Sequence, residues 1–99
     1  MAVKVLIKRK FKDGNLKVAA RLLINNRNGA MRQPGYISSE TIQRLEDPYQ
    51  ITVVSMWQDI EAWEAWKNSG TRLANEKEAK DLLVGPTEYE HYSLGLPFE

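Results

Sequence analysis

Val3, Val5 and Ile7 alternate with Lys4 and Lys8 at the start of the chain. Apolar β-branched residues at every second position are the mark of a half-buried strand. Lys12-Asp13-Gly14-Asn15 interrupts the alternation, and Asn15 is suited to cap a following helix. From Leu16 the period lengthens. Leu16, Ala19, Ala20, Leu23, Ala30 and Met31 fall near helical spacing, with Lys17, Arg21 and Arg27 elsewhere. This spacing predicts a long helix, with Gly29 a weak spot near its end. Gln33-Pro34-Gly35 stops it, because proline cannot continue a helix and pushes its predecessor to extended backbone.

Residues 36–45 read as a second strand, polar in its middle. Strict alternation puts Tyr36, Ser38 and Glu40 on one face and Ser39 and Thr41 on the other. So polar a segment suits an edge strand. Glu46-Asp47-Pro48 is a turn. Residues 51–57, Ile-Thr-Val-Val-Ser-Met-Trp, carry the strongest strand signal. They are apolar on both faces, which predicts an interior strand covered on both sides. Asp59 is a good N-cap for a helix with Ala62, Trp63 and Trp66 in its apolar set. Asn68-Ser69-Gly70 breaks that helix. A third is predicted over 71–83, with Leu73, Ala79, Leu82 and Leu83 inward. After Val84-Gly85-Pro86, residues 88–94 form a last strand with Tyr89, His91 and Ser93 on one face. Residues 1–95 make one domain and 96–99 a short tail.

The order strand, helix, strand, strand, helix pair, strand is the split βαβ plan. The fold expected is α+β and ferredoxin-like, a four-stranded antiparallel sheet with helices on one face. The other face is bare, yet the third strand is apolar there. Pairing two sheets covers it, so the pattern predicts a homodimer, a dimeric α+β barrel with one apolar pocket per subunit between sheet and helices.

Composition narrows the chemistry. Of 99 residues, 42% are apolar and 27% charged, and 14 basic against 13 acidic residues leave a net charge of +1. That balance gives no electrostatic reason to expect nucleic acid or an anionic membrane as partner. No cysteine is present, which removes disulfides, thiolate metal sites and a cysteine nucleophile. So small a domain without disulfides fits a reducing cytoplasm. The first ten residues lack the apolar run of a signal peptide, and no run approaches the roughly 20 residues that span a bilayer. One histidine cannot make a metal site, and no phosphate-binding loop or nucleophile elbow occurs.

Four segments together resemble the antibiotic biosynthesis monooxygenase family. They are Pro34-Gly35-Tyr36-Ile37-Ser38-Ser39-Glu40, Val54-Ser55-Met56-Trp57, Ala62-Trp63-Glu64-Ala65-Trp66 and Gly85-Pro86-Thr87-Glu88-Tyr89-Glu90. None is specific alone; their order and separation carry the resemblance. It implies the same fold and dimer. It also implies a cofactor-independent monooxygenase that oxidises a small aromatic or quinol substrate with dioxygen, without metal or cofactor. The alternative is a non-catalytic dimeric module that binds a small molecule or regulates a partner. A heme-degrading branch of the family uses an asparagine on strand one, a tryptophan on helix two and a histidine on helix three. Trp66 matches the tryptophan. The first strand has no asparagine, and Glu76 stands near the histidine position, so heme binding or degradation ranks last.

The resemblance marks Trp66 as a catalytic candidate: an indole stacks on a flat substrate and donates one hydrogen bond. Packing at a helix end is its plain structural role, and Trp63 reads as core. His91 is the residue best suited to act as a base near neutral pH, or is a half-buried strand histidine. Tyr36 and Ser38 are candidates to orient a substrate hydroxyl. Asn25, beside Asn26 on the first helix, is a candidate donor to a ligand oxygen; solvent is the plainer reading for both. Arg72 is a candidate to hold an anionic group, set against simple solvation. Residues 76–81 read as a solvated helix face with Glu76 paired to Lys80.

Overall fold

A computed structural model describes residues 1–96 of the chain. The elements are β1 (Val3–Lys10), α1 (Leu16–Met31), β2 (Tyr36–Gln43), β3 (Gln50–Trp57), α2 (Ile60–Lys67), α3 (Gly70–Ala79) and β4 (Glu88–Ser93), with a 3-10 turn at Lys80–Leu82. The strands form one antiparallel sheet in the order β2-β3-β1-β4. This is the ferredoxin-like α+β plan that the sequence pattern predicts. β3 is interior and β2 is an edge strand, as expected. Among the described residues no helix is long and apolar enough to cross a membrane. The expected tail falls largely on residues 97–99, outside the described residues.

Alternation along β1 decides which face the helices cover. Val5, Ile7 and Arg9 are buried, and Val5 pairs with Ser55 and His91 across the sheet. Residues opposite one another share a face, so Ser55, Trp57, Tyr89 and His91 also point to the helices. One apolar cluster joins Val5, Ile7 and Trp57 to Ala30, Trp63 and Trp66. A second joins Phe11 and Ile51 to Ala19, Leu22 and Ala79.

The local signals act unequally. Asp59 caps α2, its side chain accepting from the Ala62 amide at 2.8 Å. Asn15 stands at the head of α1, but its side chain makes no capping bond there. Ala79 is buried at the end of α3 and Leu82 and Leu83 pack beside it, as expected, but Leu73 does not turn inward. Leu73 is 54% exposed, while Arg72 beside it is 2% exposed. Neighbouring helix positions lie about 100° apart, and Arg72 takes the inward position expected of Leu73.

β2 is irregular where it enters the sheet. Tyr36 pairs with Trp57 but Ser38 pairs with Met56, and the register shifts between them. The bulge adds one residue to β2. Tyr36 and Ser39 therefore share the helix side, and Ser38 and Glu40 face away. The single face expected for Tyr36 and Ser38 is not formed, because strict alternation cannot foresee an inserted residue. Gly35 precedes the bulge at φ +84°, and its carbonyl accepts from the Gln58 amide at 2.8 Å.

No helix of the described residues covers the sheet's other face. Leu6, Val54 and Met56 sit at its middle, partly buried, and Ile42 and Tyr92 are exposed. Lys8 and Glu90 form an ion pair across it at 3.4 Å.

A Cβ on Gly35 would lie 2.5 Å from the Ala62 Cβ, whereas one on Gly14, also at positive φ, would meet nothing within 4 Å. Gly14→Ala is expected to lose about 1 kcal/mol from backbone strain alone. Gly35→Ala adds a clash and is expected to lose roughly 2–4 kcal/mol. Urea denaturation of the two variants checks the difference.

Candidate functional site

The helix-side face and the helices enclose a cleft walled by aromatic rings. Trp57 comes from the end of β3, Trp63 and Trp66 from α2, and Tyr36 from the start of β2. Positions three apart share a helix face, which is why both α2 indoles turn inward. The Tyr36 ring meets Trp57 edge-on, centroids 5.5 Å apart, and Trp57 and Trp63 are 6.0 Å apart. Such arrangements suit the ring quadrupole. Trp66 is seated on α1: a Cβ at Gly29 would lie 2.5 Å from its Cη2. The glycine that looks like a weak spot in the helix is thus the floor under an indole. The cleft's cavity volume is about 40 Å³.

One wall is polar and cationic. Arg9 from β1 and Arg72 from α3 are 3% and 2% exposed. Both reach the same Glu76 oxygen, Arg9 in a close ion pair and Arg72 at 3.5 Å. Arg72 also donates to the Tyr89 hydroxyl at 2.8 Å and lies 5.3 Å over the Trp63 and Tyr89 rings. Thr87 donates to the other Glu76 oxygen at 3.3 Å. Glu76 is therefore not a solvated residue paired with Lys80. Its carboxylate faces the sheet and answers two buried cations. Asn26 of α1 accepts from the Asn75 amide at 2.8 Å.

Of the residues singled out from sequence, Trp66, Tyr36 and Arg72 come together in the cleft lining. The Tyr36 hydroxyl hydrogen-bonds the Ser39 hydroxyl at 2.7 Å. Arg72 is buried, so solvation does not describe it. His91 faces the helix side with its ring 6.5 Å from Trp63, but it is exposed and outside the lining. Ser38 lies on the open face, carried there by the bulge. Asn25 is exposed on an outer groove beside Leu22 and Glu78. Its neighbour Asn26, about 100° further round the helix, is the one in the cleft. Arg9, Asn26, Ser39 and Glu76 belong to the site without having been chosen for it. The signal for Arg9 lay in its position: alternation from Val3 places it on the buried face. Among the described residues no three His, Asp or Glu side chains gather as a metal site would require.

The model of the antibiotic biosynthesis monooxygenase family matches residues 2–77. No curated protein matches the sequence. Among solved structures the chain is similar to a putative antibiotic biosynthesis monooxygenase from Nitrosomonas europaea, at TM-score 0.88 and 16% identity, covering 97% of this chain and 92% of that one. A conserved protein from Methanosarcina mazei Go1 gives 0.86 and 21%, covering 93% and 91%. SnoaB, a cofactor-independent oxygenase from Streptomyces nogalater, gives 0.82 and 12%, covering 96% and 94%. At these identities the likeness is one of fold.

If Trp66 rests on Gly29 as described, the two positions are energetically coupled. Gly29→Ala is expected to cost about 1–3 kcal/mol through overpacking. In a Trp66→Phe background, where the clashing atoms are gone, most of that penalty should vanish. A double-mutant cycle in urea measures the coupling.

Proposed function

The chain belongs to the antibiotic biosynthesis monooxygenase family, and from that we propose that it is a cofactor-independent monooxygenase. It oxidises a small electron-rich phenol or quinol with dioxygen in the cleft between sheet and helices. The observation that carries the reading is the cleft itself: indole and phenol rings on one side, two buried guanidiniums on the other. SnoaB, which shares the fold, is a cofactor-independent oxygenase.

The chemistry asks little of the protein beyond placement, burial and charge. A phenol gives up its proton and becomes a phenolate whose negative charge extends to a ring carbon. That carbon passes an electron to dioxygen, and the resulting radical pair joins as a C–O bond. Protonation gives a hydroperoxide, which loses water to leave a carbonyl. One substrate and one dioxygen yield one quinone and one water. Trp66 and Trp57 hold the ring in place. The Tyr36–Ser39 hydroxyl pair orients a substrate oxygen. Arg72, held by Glu76 and Tyr89, stabilises the developing anion in a site of low polarity, where a fixed charge acts strongly. This favours loss of the proton without a histidine in the lining. His91 remains a proton acceptor at the edge of the site, behind Trp63.

Two copies joined through the open sheet face complete the reading. The face presents Leu6, Val54 and Met56 beside Lys8 and Glu90. It has both apolar area and charges of both signs, so it suits a second copy of itself. The heme reading gains nothing from the geometry. At the helix-three position where that branch has histidine, Glu76 is engaged by two guanidiniums.

Oxygen uptake with a panel of quinols and anthrone-type phenols tests the activity. Turnover is expected in the native protein, and Trp66→Phe should lower kcat/KM by about tenfold, roughly 1.4 kcal/mol, while the variant stays folded. Ligand binding without uptake on any panel member would favour the binding module. For the assembly, light scattering should return twice the 11.4 kDa chain mass, and Met56→Glu should return it to the single-chain value.

A further inference from the structure

Guanidiniums stay protonated in proteins, so burial cannot neutralise them as it can a lysine or a carboxylate. Each buried arginine therefore needs an anion or a full set of acceptors. Among the described residues Arg9 and Arg72, 3% and 2% exposed, share Glu76 alone. Two positive charges against one negative leave one charge unanswered in the cleft wall. A third arginine, Arg27, lines the cleft but is exposed to solvent, which answers its charge; among the described residues no aspartate or glutamate lines it. The rings of Trp63 and Tyr89 soften the charge of Arg72. They do nothing for Arg9.

Hydrogen bonding tells the same story independently. Arg9 Nε and Asn26 Nδ2 are buried and have no acceptor among the described residues. Both residues line the cleft. The Asn26 oxygen is engaged, accepting from the Asn75 amide. The site thus has a surplus positive charge and two idle donors, nearly all out of reach of bulk water. Buried donors of this kind are costly unless something fills the place.

We propose that the cleft takes a carboxylate-bearing aromatic molecule, with its carboxylate received by Arg9 and Asn26 beside Arg72 and its ring against Trp66. A carboxylate supplies one negative charge, matching the surplus of one. It is planar and offers two oxygens to a guanidinium fork. A phosphate would bring nearly two charges, one more than the buried pair leaves over. If the substrate of the proposed oxygenase is bound this way, it is an aromatic acid. The binding claim rests on that reading only for the reaction that follows.

The test compares hydroxybenzoates and hydroxynaphthoates with their primary amides, which keep the shape and remove the charge. Binding is followed anaerobically by titration calorimetry and tryptophan fluorescence. The acids are expected to bind at least tenfold more tightly than the amides. Asn26→Asp keeps the acceptor for Asn75 and puts a carboxylate where the idle donor was. It is expected to raise the melting temperature and to abolish the preference for acids. Equal binding of acid and amide, or binding of neither, would overturn the proposal. So would an Asn26→Asp variant that melts lower, as expected if the polar wall is already balanced. Acid binding with no oxygen uptake would reject the oxygenase and leave the carboxylate site standing.

Discussion

Arg9, Glu76 and Arg72 tie the third helix to the sheet, and the cleft exists because of that tie. α3 has little apolar surface with which to pack; Arg72 and Ala79 are its buried residues. A helix normally docks through an apolar stripe. Here the inward face is ionic, and it meets a β1 arginine that interrupts the apolar row of Val5, Ile7 and Phe11. The two apolar clusters lie on either side of that interruption along the strand. Replacing such a cluster with hydrophobic residues often leaves a protein as stable or more so. Its presence is therefore weak support for a purely structural role, and fits a site that must stay charged and partly open.

The aromatic wall depends on small residues as much as on large ones. Trp66 needs the missing side chain at Gly29, and α2 needs the missing side chain at Gly35. Interiors are packed to crystal-like density, so a ring that size fits only where something else is absent. The indole nitrogens of Trp57 and Trp63 find no acceptor among the described residues. The wall is held by shape and ring contact more than by hydrogen bonds.

Most of the fold was legible from period and punctuation. β1 and β3 announce themselves through β-branched residues, α2 through Asp59, and the two ends of α1 through Gly14-Asn15 and Pro34-Gly35. The site was legible in part. Trp66, Tyr36 and Arg72 were identifiable; Arg9, Asn26 and Glu76 were not chosen, and Ser38 and Asn25 lie elsewhere. The reasons are physical. Charge reads as exposure unless its partner is known, and the partner of Arg9 is Glu76, 67 residues away. Adjacent asparagines differ only by rotation about the helix axis, which composition does not fix. A bulge is invisible to an alternating pattern because it breaks the rule by which faces are assigned.

The bulge also separates the two ends of β2. Beyond it the register on β3 runs unbroken from Ser38 to Gln43, and before it Tyr36 sits against Trp57 independently. In an uninterrupted strand, gaining or losing one residue would swap every downstream side chain between the two faces. Here a length change confined to the corner can be absorbed where pairing is already slack. Descendants of this chain are thus free to vary the corner at Pro34–Ile37, which carries Tyr36 of the cleft, while the far surface keeps its identity, so the two faces of the sheet can diverge on separate evolutionary clocks.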